Sequence, residues 1–217
     1  MSVMSAAVSG STAAGASVGT IVFKGITRAI ILPGAQLTAA KGGIKVSAQS
    51  KEKVNLTVAG AAGSGSASVA GSFAVLIMNV TTQSMVQGSN AAAKGSLTAA
   101  GSVEISAADK TDFNLIVGGA SFGGSAAVGA AIGTTVYRNT VTAMIGNNNI
   151  VAGKNIRVTA AADRNIRSSA VMAGVGGSAS VNGSILIISV GAATTDQDAD
   201  KANSNGGSNS SISASSD

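Results

Sequence analysis

Residues Lys110–Tyr137 read KTDFNLIVGGASFGGSAAVGAAIGTTVY. Versions of this stretch come before and after it, so the reading of the whole chain turns on whether they form a true repeat. Three anchors test that. A short alternating run occurs at Ile44–Ala48, Val103–Ala107 and Ile156–Ala160, with spacings of 59 and 53. Ten residues after each start come Val54-Asn55-Leu56, Phe113-Asn114-Leu115 and Ile166-Arg167-Ser168, at the same spacings. A small-residue run then ends in a valine at Val18, Val69, Val128 and Val181, spaced 51, 59 and 53. A fourth check skips one unit. Val22-Phe23-Lys24 matches Val136-Tyr137-Arg138, and Ala29 and Ile31 match Ala143 and Ile145, all at an offset of 114. Fixed periods of this kind mark solenoids and arrays. The unit is longer than most, which predicts two or more turns of chain per repeat.

Each unit reads as strands. Ile44–Ala48 and its copies alternate apolar and polar, as a strand with one buried face does. The charged stretches after them (Ser50 to Lys53, Asp109 to Asp112, Asp163 to Asn165) read as solvated, with a new strand starting at Val54, Phe113 and Ile166. Gly/Ala/Ser runs follow at 60–71, 118–133 and 174–183. Glycine costs about 1 kcal/mol at an interior helical position, so these are not helices. Valines recurring in register argue for tight turns or a close approach of two sheets, where only small side chains fit. The apolar runs 73–78, 132–137 and 185–190 are predicted buried strands. Residues 81–90 and 139–149 read as polar turns, with Asn147-Asn148-Asn149 either a turn or an asparagine ladder. Pro33, the single proline, marks a turn at Leu32-Pro33-Gly34.

Composition fits this architecture. There are 29 Gly, no Cys and no His, and aromatics make up 2% of the chain while apolar residues make up 45%. Such a chain fills a thin interior with small and β-branched side chains, which suit strands. No thiolate metal site or disulfide is possible. The net charge of +5 is dispersed, without the dense basic face or stacking aromatics of a nucleic-acid binder. Residues 1–20 lack the basic and apolar regions of a signal peptide. Val3-Met4-Ser5 resembles Val171-Met172-Ala173, so the chain is expected to be a piece of a longer one.

The predicted fold is all-β: a right-handed parallel β-helix (β-solenoid) of ~53–59-residue repeats. The repeat segment spans 1–193, with units of roughly 1–43, 44–102, 103–155 and 156–193. Residues 194–217 form a polar, low-complexity tail or loop.

The order NIRVTAAAD, a Gly/Ala/Ser run and AAVGAAIGTTVYRNTVTAMIGNNNIVAGKNIRV resembles the repeats of filamentous adhesins and leukotoxin-like large exoproteins of anaerobic Gram-negative, fusobacterial-type bacteria. The matching positions are Asn114, Gly118, Gly119, Val128, Gly129, Asn139, Thr140, Val141, Ala143, Ile145, Gly146, Val151, Gly153, Ile156 and Val158. The unit Ser102–Ala162 follows the pattern most closely. Ile30 to Gly34 and Met85 to Gly88 depart from it. The resemblance covers about 190 residues. It implies a β-helical passenger, secreted or on the outer-membrane surface, that acts in adhesion or toxicity toward host cells.

No catalytic, cofactor or metal residue is assigned. General acid–base work needs His or paired carboxylates, and Glu52 and Glu104 are not repeat-equivalent to each other or to a partner carboxylate. Gly60 to Gly65 and Gly174 to Gly177 lack the lysine of a phosphate loop. Asp196-Gln197-Asp198-Ala199-Asp200 opens like a calcium loop, but Lys201 and Gly207 stand where Gly and Glu are required. Gly119–Gly123 and Gly129–Gly133 have the GxxxG spacing within uncharged runs, and so raise a membrane reading. The expected role is a stiff repeat rod that presents binding surface to host-cell molecules of unknown identity. Its neighbours are further repeats, it self-associates when isolated, and nucleic acid is not a partner. The alternative is a membrane-active or pore-forming toxin segment.

Overall fold

The computed structural model describes residues 1–88 and 94–191. The tail predicted at 194–217, with its calcium-like Asp196–Asp200, lies outside the described residues. Eleven strands follow in order: β1 Ser2–Ser9, β2 Thr12–Ile31, β3 Gln36–Ala39, β4 Ile44–Ser64, β5 Ala67–Val86, β6 Ser96–Ala99, β7 Val103–Gly123, β8 Ala126–Ile145, β9 Asn149–Ala152, β10 Ile156–Gly176 and β11 Ala179–Gly191. They form three parallel sheets, β1-β4-β7-β10, β11-β8-β5-β2 and β3-β6-β9. The chain is a parallel β-solenoid with two long walls and one short one.

One repeat is one coil. Ile44, Val103 and Ile156 are direct cross-strand partners, so the expected two or more turns per unit is corrected. The unit is long because its strands are. β4 and β7 have 21 residues each, roughly 70 Å of extended chain. The anchors at 44 and 54 therefore lie on one strand, and the polar interval between them is strand too. The predicted polar turns after Asn79 and Tyr137 are also mostly strand, since β5 runs to Val86 and β8 to Ile145.

The change from 59 to 53 has one physical source. β4–β7 and β5–β8 both keep an offset of 59, whereas β6–β9 keeps 53. The six-residue difference therefore lies wholly at the corner between the second long wall and the short one. There the connections are Leu32–Ala35, 87–95 and Gly146–Asn148. The first is a turn with Pro33 at its second position and Gly34 at φ 78° at its third, closed by Ala35 N–H to Leu32 C=O at 3.4 Å. Asn147 and Asn148 form the third corner, while Asn149 opens β9. Two sequence alignments are corrected by register. Val18 lies beside Phe73, and it is Ala14 that lies beside Val69. Val3 shares a column with Ala170 and Met4 with Val171, one residue from the sequence match. A one-residue slip exchanges the two faces of a strand.

At the opposite end, Gly10-Ser11, Gly65-Ser66, Gly124-Ser125 and Gly177-Ser178 fold the chain from one long wall to the other. These turns stack through Ser66 N–H to Ser11 O (3.0 Å), then Ser125 to Ser66 and Ser178 to Ser125 (both 2.8 Å). Next to them the walls nearly touch. A Cβ on Gly60 would lie 2.6 Å from the carbonyl oxygen of Gly71, so the close-approach reading of the Gly/Ala/Ser runs holds. Serine hydroxyls tie the walls together there. Ser17 donates to Ala59 O at 2.6 Å, and one coil on, Ser72 donates to Gly118 O at 2.7 Å. Two larger apolar clusters fill the rest. One is built on Leu56, Leu76, Phe113, Leu115 and Tyr137, and the other, near the short wall, on Ile44, Val86, Leu97, Val103 and Ile105.

Candidate functional sites

Between these two clusters lies a polar layer that the sequence reading placed in solvent. Alternation along β7 turns Asp109, Thr111 and Phe113 inward, and Asp109 and Thr111 are 3% and 1% exposed. Asp109 collects donors from two other strands and from its own. Ser50 Oγ–H of β4 donates to Oδ1 at 2.5 Å, and Asn139 Nδ2–H of β8 donates to Oδ2 at 2.6 Å. Thr111 donates to Oδ2 at 3.0 Å and itself accepts the Tyr137 hydroxyl at 2.8 Å. Thr82 of β5 lies 2.7 Å from Ser50 Oγ, whose proton is committed to Asp109, so Thr82 is the donor there. A buried acceptor with this many donors is a stable arrangement, since burial of a polar group is tolerated when it is hydrogen-bonded.

Glu52, on β4, turns toward the same layer. Burial first, then the hydrogen bond and negative charge of Asp109, push its carboxyl up to about 7. Glu52 Oε2 and Asn139 Oδ1 have no hydrogen-bond partner. Arg164 of β10 sits beside Thr111 in register, its guanidinium 5.9 Å from the Tyr137 ring centroid, in cation–π range. Burial is the main cause that holds the Tyr137 phenol above its ordinary value. Glu52 is not repeat-equivalent to a carboxylate, since its cross-strand partner is Thr111, yet the fold brings it beside Asp109, two residues off in register and 57 in sequence. Nothing in either strand alone marks this pair. A perturbed carboxyl beside another carboxylate can serve proton transfer. Here the pair lies inside the solenoid between two apolar clusters, where it organises packing.

Glu104 is on the outer face, 3.5 Å from Lys45 one coil away. Lys110 pairs outward with Asp163 at 2.8 Å, and that carboxylate holds the ammonium above its ordinary value. Gly60 faces the interior and Gly174 lies against Asn182, so neither run forms a phosphate cradle. Among the described residues no group of three His, Cys, Asp or Glu could hold a metal, and no helix is long and apolar enough to cross a membrane.

The second candidate is a surface. In the sheet of β2, β5, β8 and β11 the usual contents of the two faces are exchanged near the Gly-Ser turns. β5 turns Ser68, Ala70, Ser72 and Ala74 inward, and Val69, Phe73, Val75 and Ile77 outward. β8 repeats this, with Ala127, Gly129, Ala131 and Gly133 inside and Val128, Ile132 and Val136 outside. The anchor valines Val69 and Val128 thus stack on the outside, exposed. A shallow depression of about 240 Å³ lies over Gly71 and Ala130, walled by Val18, Phe73 and Ile132. No family model, curated protein or solved structure matches this chain.

Proposed function

We propose that this chain is a structural and adhesive segment of a secreted or surface-exposed filamentous adhesin or leukotoxin-like exoprotein. It acts as a stiff repeat rod that presents binding surface to host cells. The observation that carries this reading is the in-register stacking of coils around a closed interior, with large apolar side chains left on the outside of one wall. Parallel coils paired along 20-residue strands resist bending, because bending breaks many backbone hydrogen bonds together. The edge strands β1 and β2 have a strand partner on one side only, which favours growth by further repeats or by self-association. A pore-forming role is less well supported, since such open edges are costly in hydrocarbon.

The test is retention of the whole chain on cultured animal cells, read beside its far-UV circular dichroism. The expected result is a β spectrum lost in one cooperative melt, and saturable retention on cells. A β-folded chain that washes off every cell type would sink the adhesive reading and leave a spacer.

A further inference from the structure

We propose that the outer face of the β2-β5-β8-β11 sheet docks flat on a lipid bilayer that carries anionic headgroups. The proposal deepens the adhesive reading and rests on it, by naming the chemistry of the surface that is bound. Three observations carry it.

The first is the exchange of faces. Val22, Val69, Phe73, Ile77 and Val128 are 70%, 51%, 41%, 37% and 44% exposed, and beside Val69, Phe73 and Val128 the interior holds only alanine, serine and glycine. Four strands at ~4.8 Å, over about 11 residues each, make an apolar field of roughly 700 Å². That exceeds the few hundred Å² usual on a soluble monomer, and fields of this size mark partner or membrane contact.

The second is charge. No Asp or Glu occurs on any of the four strands. Just beyond the apolar field stand Lys24 and Arg138, in the same cross-strand column, and Arg28 four residues on. All three are exposed, and among the described residues none is in an ion pair. An apolar field edged by unpaired cations is the pattern of a protein that lies in the interface of an anionic membrane. The third is shape. The depression over Gly71 and Ala130 can admit a flexible hydrocarbon chain. A second copy placed face to face would offer the three cations no carboxylate.

Flotation of the full chain with vesicles tests this. Vesicles are phosphatidylcholine alone, or phosphatidylcholine with phosphatidylglycerol. The wild type is expected to float with the second kind only, and to release in high salt. Lys24→Ala/Arg28→Ala/Arg138→Ala should weaken binding about a hundredfold, at the ordinary contribution of a surface cation. Phe73→Ser/Ile132→Ser should weaken it tenfold or more, while Phe122→Ser, on the other wall, leaves it unchanged. The cation variant keeps the test alive should the apolar one fail to fold. Absence of flotation with either vesicle overturns the proposal. So does equal loss from Phe122→Ser, or a lipid-free dimer that Phe73→Ser/Ile132→Ser converts to monomer. Retention on cells without vesicle binding overturns this proposal alone and leaves the adhesive reading standing.

Discussion

The two ends of each coil obey the same alternation with opposite contents. Near the short wall, Ile44, Val46, Val103 and Ile105 point inward while Lys45 and Glu104 point out, the ordinary arrangement of a half-buried strand. Near the Gly-Ser turns, the β5 and β8 wall puts serine, alanine and glycine inside and valine, isoleucine and phenylalanine outside. The interior width differs between the ends and accounts for this. Where three walls enclose a wide space, large side chains are needed to fill it. Where two walls are folded back on each other, backbone meets backbone and only small side chains fit. Burial is therefore set by the gap between sheets, and hydrophobicity alone does not predict which face turns in.

The sharpest way to break this comparison uses two glycines eleven residues apart. Gly60 faces the narrow gap, whereas a Cβ on Gly71 meets nothing within 4 Å. Gly60→Val should cost at least about 3 kcal/mol, with lost cooperativity in denaturant melts, because the overpacking is against backbone. Gly71→Val should be tolerated within about 0.5 kcal/mol. Equal effects would refute the width argument.

Next in size is the polar layer at the wide end. Asp109→Ala leaves Ser50, Thr111 and Asn139 with buried, unused donors. A loss of about 3 kcal/mol is expected in urea unfolding, in the range for breaking a buried charged network. Asp109→Asn should cost less, since its carbonyl oxygen still accepts.

A smaller effect comes from Glu52. Its folded value of about 7 lies above the ordinary 4.5, so the folded chain holds this proton more tightly than the unfolded one. The stabilisation is complete below pH 4.5, declines as pH rises, and is gone once pH has passed through about 7. With partial screening by solvent the change is about 1–2 kcal/mol. Unfolding free energy measured from pH 4 to 9 should fall with this profile, and Glu52→Gln should flatten it. A profile that rises with pH would contradict the burial of Glu52 beside Asp109. Smallest of all is the exposed pair Lys45–Glu104. Lys45→Ala should shift stability by no more than about 0.5 kcal/mol in the same assay.

Much of the fold could be read in advance. The anchors at 44, 103 and 156, and the 114-residue match between Val22 and Val136, are direct register pairs or sums of them. The Pro33-Gly34 turn and the narrow Gly/Ala/Ser end were legible too, because they rest on local backbone chemistry. The candidate sites were not. Asp109-Lys110-Thr111-Asp112 has the composition of a solvated turn, yet in a continuous strand every second residue must point inward. Nothing local distinguishes a strand from a turn there. The meeting of Asp109 with Ser50 and Asn139, 59 and 30 residues away, depends on the coil closing once per repeat. A repeat length does not state that number.

The amino-acid sequence by itself determined the period, the β character, the Pro33-Gly34 corner and the uncharged runs, since these follow from backbone preference and spacing. The tertiary structure alone decided which face of the Gly/Ala/Ser runs is interior. A two-residue period leaves both faces open when small and large apolar residues alternate, and only the distance to the opposite wall chooses between them.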